Sequence, residues 1–177
     1  MTSTTPHLPD PAGAGSDADR ARFRQAMGRF ATGVTVLTTV ADGHDHAMTA
    51  NSVTSVSLEP LLVLACVELE ARFHDAVIEA GVWGLNVLPG GARPTAAWLA
   101  TRGRPLHGQL DRVPHRRGPA TGVALLDGAI ATLECRTRDV HRSGDHDILV
   151  ADVLSVDLDP ADADALVYWR GEYHRIS

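Results

Sequence analysis

The chain has 177 residues, 44% hydrophobic, 21% charged and only 5% aromatic, with a formal net charge of -6 at pH 7. A domain of this size buries roughly 70% of its unfolded surface, so it needs no disulfide or metal to fold. All 16 basic residues are arginine. That excludes Schiff-base, P-loop and general-base lysines, and the acidic balance argues against a nucleic-acid or anionic-membrane surface.

Residues 1–15 hold almost no large apolar side chains and read as a disordered tail before a single domain over residues 16–177. Ser16 with Asp17 and Asp19 gives a capped helix start, and Phe23, Met27 and Phe30 recur at helical spacing. This predicts an amphipathic helix over Asp17–Phe30, closed by Gly33. Val34–Val40 is a β-branched strand, Ala41-Asp42-Gly43 a turn, and His46–Ala50 the returning strand of a hairpin. Asn51–Ser57 is polar but β-prone, and Pro60 ends it. Leu61–Val67 is a continuous apolar run, expected to be buried on both faces.

Arg72–Ala80 reads as a helix closed by Gly81, Val82–Leu88 as a strand and residues 92–101 as a helix. The Arg- and Pro-rich stretch 102–120 reads as a long exposed loop. Ala129–Val140 and Asp147–Leu158 are long strands, and Ala165–Trp169 is a last short strand turning at Gly171. Hairpin connections outnumber βαβ alternation, which predicts a mostly β, antiparallel barrel with peripheral helices. There is no G-x-G-x-x-G, so any dinucleotide is held in some other way.

Cys66 and Cys135 sit in separate apolar runs with no C-x-x-C, and read as small buried hydrophobes. No apolar run approaches the ~18 residues of a membrane span. No basic segment precedes an apolar one at the N-terminus, so the expected location is the cytoplasm.

Four segments carry candidate chemistry. Met48–Ser57 is rich in small and hydroxyl residues, able to approach a phosphate or ribityl chain closely, though on propensity alone it reads first as a solvated edge strand. Cys66–Arg72 joins the end of the most apolar strand to a helix N-terminus, a place that attracts anions. Gly144-Asp145-His146-Asp147 is a turn with a histidine between acids, either a proton donor or a surface turn. His44 and His46 share one strand face, but no third metal ligand can be placed with them.

In order along the chain, these segments resemble the flavin reductase component family of two-component flavin-dependent monooxygenases. The matching stretches are Phe23–Val36, Met48–Val63, Gly84–Leu88, Leu126–Ala129, Leu133–Cys135, Gly144–His146 and Tyr168–Tyr173. The resemblance implies an FMN-binding split β-barrel of Greek-key-like topology, a homodimer, and reduction of FAD or FMN by NADH. Reduced flavin would pass to a separate monooxygenase. It also implies that Thr49, Ala50, Asn51 and Ser52 contact the ribityl and phosphate region. Cys66, Val67 and Glu68 would line the isoalloxazine through backbone groups, Arg72 would face phosphate, and catalytic His146 would sit near the nicotinamide with Tyr173 close by. The chain departs from the family at Val53, at the acidic Glu68-Leu69-Glu70 and at Trp98-Leu99. Arg112, Arg116 and Arg117 are further phosphate candidates or solvated loop residues. NADH is favoured over NADPH because no arginine pair is placed for a 2′-phosphate. Two other readings are a non-catalytic flavin- or haem-binding split-barrel carrier or sensor, and a metal-dependent hydrolase using His44, His46 and His146.

Overall fold

The computed structural model describes residues 15–159 and 164–177. The tail expected over residues 1–15 therefore lies outside the described residues, Gly15 excepted. In chain order the elements are α1 (Asp17–Met27), β1 (Thr32–Gly33), β2 (Thr35–Ala41), β3 (His44–Ala50), β4 (Val53–Leu58), β5 (Leu61–Glu68), α2 (Arg72–Ala80) and β6 (Val82–Val87). A 3-10 turn, Gly90–Ala92, leads into α3 (Arg93–Ala100). There follow β7 (His115–Arg117), β8 (Ala124–Leu126), β9 (Ala131–Ser143), β10 (His146–Leu158), β11 (Ala165–Trp169) and β12 (Glu172–Ile176).

Seven strands form one sheet in the order β3-β2-β6-β9-β10-β5-β4, with β1-β11-β12 and β7-β8 as smaller sheets. The strand pairs are antiparallel throughout. Inside the large sheet lie Leu37, Val63, Ala65, Val67, Trp83, Leu85, Cys135 and Leu149, closed by Phe73 and Val77 of α2. A second core packs Val34, Val36, Leu88, Leu99, Leu126 and Leu166 beside α3. Each such leucine or valine contributes about 1.5–3 kcal/mol by leaving water.

The hairpin β2–β3, α2 with its Gly81 cap (φ 65°) and the β9–β10 pair match expectation. The expected loop 141–146 shrinks to a two-residue turn, because both strands continue their pairing to Ser143 and His146. Three expectations are corrected. α1 ends at Met27, capped by Gly28, and buries nothing: Phe23 is 67% exposed and Phe30 68%. β5 alternates instead of burying both faces; Val63, Ala65 and Val67 point inward, whereas Leu62, Leu64 and Cys66 are only half-buried. The stretch 102–120 is anchored, not free: Gln109 and Leu110 are buried, and His115–Arg117 pairs with β8. Among the described residues no helix is long and apolar enough to cross a membrane.

Candidate functional site

β5 ends at Glu68, and a short turn carries the chain into α2. The N-cap of that helix, Ala71, offers no side-chain acceptor, so its first backbone N–H groups point out uncapped. In front of them opens a cleft of about 370 Å³, floored by β3 residues His46–Thr49 and walled by the 99–104 segment and Gln109. Three arginines line it: Arg72 of α2, and Arg102 and Arg104 from the loop.

Loop and helix are tied together. The Arg72 guanidinium donates to the Arg104 carbonyl at 2.5 Å, and Arg104 in turn donates to the Ala47 carbonyl and to Gln109 Oε1. Gln109 Oε1 also accepts from the Ala47 N–H at 3.2 Å. Arg102 Nη2 donates to both oxygens of Glu68, at 3.0 and 2.8 Å. Burial, and then the neighbouring charge of Arg72, make Arg104 a weaker base than a free arginine. Its Nε is buried without a partner, as is Nδ1 of His46. Burial is the first cause that pulls His46 below its ordinary value and keeps it neutral near pH 7.

A second recess of about 220 Å³ shares Thr49 and Ala100 with the first, and adds Ala50, Asn51, Val34, Tyr168 and Tyr173. The two tyrosine rings meet at 5.3 Å, and burial raises the Tyr173 phenol above its usual range. Beneath α2, His74 bonds Asp147 at 2.8 Å and Asp147 accepts from Arg142 at 2.6 Å, which fixes the helix to the start of β10.

Of the expected site residues, Thr49, Glu68 and Arg72 come together in the larger cleft, and Thr49, Ala50, Asn51 and Tyr173 in the smaller. Ser52 is spent on Cys66: its hydroxyl donates to the Cys66 carbonyl at 2.8 Å, and its own carbonyl accepts the Cys66 N–H. Val67 is fully buried in the core. His146 lines neither recess; it sits opposite Glu68 in the strand register, its Nδ1 at 2.8 Å from Asp145. Arg116 and Arg117 are held by Asp157 and Asp45, and so are turned away from the cleft arginines' role. The cleft residues missed from sequence are Arg102, Arg104 and Gln109; His46 was singled out, but as a metal ligand and not as part of this cleft. The arginine-rich stretch was visible, but only tertiary contact separates its cleft residues from its surface ones. His44, His46 and His146 do not gather into a metal site, and no such group of side chains occurs among the described residues.

Fold and cleft together define a mostly β antiparallel barrel with an arginine-lined cleft at a helix N-terminus. The chain belongs to the family described as Flavin reductase like domain, whose pattern matches residues 27–177. It is 35% identical over 174 residues to an NADH-dependent FAD reductase of Streptomyces globisporus, covering 98% of this chain and 94% of that one. An NADH-dependent FMN reductase of Streptomyces nodosus subsp. asukaensis is 36% identical over 161 residues, 90% of this chain and 86% of that one. Among solved structures, the flavin reductase component of a bacterial two-component tryptophan halogenase superposes with a TM-score of 0.84 at 42% identity, over 89% of this chain and 98% of that one. The structure of the S. globisporus NADH:FAD oxidoreductase with NAD and FAD fragments gives 0.84 at 33% identity, over 94% and 98%. These neighbours share the split-barrel fold, as the resemblance implied.

Proposed function

We propose that this chain is an NADH-dependent flavin reductase that reduces FAD or FMN and releases the reduced flavin to a separate monooxygenase. The observation that carries it is the cleft itself, where an uncapped helix N-terminus and three arginines converge. That donor set suits a phosphoanion. The names of the relatives support both nicotinamide and flavin as its ligands.

When bound, the two cofactors supply the redox chemistry, a hydride passing from nicotinamide to flavin. The protein's part is to hold and orient. Arg72 and the first N–H groups of α2 take the phosphate. The backbone of Thr49–Asn51 runs beside the ribityl chain, and the backbone of Cys66–Glu68, without its side chains, borders the ring. Tyr173 closes the smaller recess. His146, paired with Glu68 in the strand register, is the residue assigned to the nicotinamide side. No lysine is needed, since neither reacting atom belongs to the chain.

Residues 16–177 act as one unit in this reading, in the cytoplasm where NADH is available. Two apolar surfaces support a homodimer: Phe23 and Met27 of α1 with Phe30 just after it, and the end of the β4–β5 hairpin, where Val56, Leu58 and Leu61 are exposed. NADH absorbance followed with and without added FAD or FMN tests the function. Consumption that depends on added flavin is expected, and the absence of flavin-dependent NADH oxidation with both FAD and FMN would overturn the assignment. A tightly bound chromophore without turnover would instead favour a carrier.

A further inference from the structure

The cleft carries its own anion. Glu68 and Glu70 line it beside Arg72, Arg102 and Arg104, so three positive charges face two negative ones. Glu68 is fixed at the end of β5 and paired in register with β10, and its side chain is 35% exposed. Arg102 is on the loop, 83% exposed, and places one guanidinium nitrogen on both Glu68 oxygens. The rigid partner is therefore the acid, and the movable one is the arginine. Among the described residues Glu70 has no hydrogen-bonded partner, so of the two acids Glu68 is the one that occupies an arginine a phosphate would use.

We propose that Glu68 is an internal competitor for the flavin phosphate: it holds Arg102 when the cleft is empty, and the incoming phosphate must take Arg102 from it. This rests on the flavin reductase assignment. The consequence is an affinity set low on purpose of exchange. A flavin phosphate gains Arg102 only by giving up the Arg102–Glu68 pair, and it lies near a carboxylate that repels it. Glu68 thus favours release of the product, and it acts only on flavins that carry phosphate. Riboflavin, with no phosphate, does not compete for Arg102.

Flavin fluorescence titrations of the full chain test this, using FMN, FAD and riboflavin at low and high potassium chloride. Relative to wild type, Glu68→Gln is expected to bind FMN and FAD roughly three- to tenfold more tightly, with less gain in high salt. Riboflavin affinity should not change. Glu70→Gln removes the same charge from the same cleft, and should give a smaller gain. Adding Arg102→Gln to Glu68→Gln should abolish the gain, since the freed arginine is its source. Equal tightening for riboflavin, an equal gain with Glu70→Gln, or no gain for FMN would each overturn the proposal. If wild type binds flavin and Glu68→Gln binds it no better, the competitor idea alone falls. If the folded wild type and Glu68→Gln bind no flavin at all, the flavin reductase assignment falls with it.

Discussion

Two residues of the family-like stretches owe their identity to packing, not to ligands. A Cβ on Gly84 would meet Thr38 Oγ1 at 2.5 Å, and Ala124 O and Val123 Cγ2 at 3.1 Å, because β8 lies directly across β6. The Thr38 hydroxyl cannot retreat, since it donates to the Ala124 carbonyl at 2.6 Å. Gly84→Ala should therefore cost about 1–3 kcal/mol in urea unfolding, the usual range for overpacking a tight core. Asn86 is equally structural: it donates to the Val36 carbonyl at 3.0 Å and accepts from the Leu126 N–H at 2.7 Å. Neither role could be read from sequence, because the partners lie tens of residues away. Cys135 was legible, as a buried hydrophobe; burial, helped by the charge of Glu134, pushes its thiol up to about 12 and leaves it unreactive. His146 is different, 42% exposed at its side chain and bonded only to its neighbour Asp145. If it orients the nicotinamide, His146→Ala should raise the NADH KM or lower kcat severalfold while flavin affinity by fluorescence is kept. Unchanged kinetics would reduce it to a turn residue.

At the scale of elements, local signals were read well where local chemistry decides. The αL cap at Gly81 ends α2 where the sequence said it would, and the Asp42-Gly43 turn sets the β2–β3 register. What sequence could not show is how α2 is pinned. His74 reaches Asp147, seventy-three positions away, and Arg142 completes the set. Burial opposes the charge of His74, but hydrogen bonds to Asp147 and Asp75 outweigh it and lift its pKa above the ordinary 6.5. The sign follows: its stabilising contribution is full below 6.5 and is lost as pH rises through the higher folded value. Asp147 runs the other way. Arg142 first, then His74, hold it below 3.8, so its contribution is present above that value and lost in acid. The Tm of the wild type should fall as pH rises from about 6 through the folded value of His74, by roughly 2–4 °C. His74→Gln keeps a donor toward Asp147 but does not titrate, so its Tm should be flat over that span. A wild-type alkaline decline that persists in the variant would place its cause elsewhere.

For the whole molecule, the two failed burial expectations point the same way. The sequence pattern of α1 called for a covered apolar stripe, and that of Leu61–Val67 for burial on both faces. In the single chain Phe23, Met27 and Phe30 stay exposed, the outward Leu62, Leu64 and Cys66 of β5 are only half-buried, and the end of the β4–β5 hairpin leaves Leu58 82% and Leu61 48% exposed. Hydrophobic periodicity reports what is buried in the functional assembly, whichever chain does the covering. Within one chain the burial expected of both segments does not hold, because no element among the described residues packs over them. If a second copy supplies the cover, replacing a central apolar side chain by a charge should dissociate the pair without unfolding the barrel. Leu61 stands at the exposed start of β5, 48% open, beyond the buried Val63, Ala65 and Val67 that follow it on the same strand face, and the variant tested is Leu61→Arg. It should weaken dimerisation by about thirtyfold, the ~2 kcal/mol of a central interface residue, visible by sedimentation velocity as a shift from dimer to monomer at micromolar concentration. Circular dichroism should stay close to wild type. Turnover should fall with the dimer fraction if the neighbour completes the shallow cleft, and should recover as protein concentration is raised. A wild type that sediments as a monomer at those concentrations would refute the homodimer outright, whereas a dimeric Leu61→Arg would move the interface to the α1 face, where Phe30→Arg repeats the measurement.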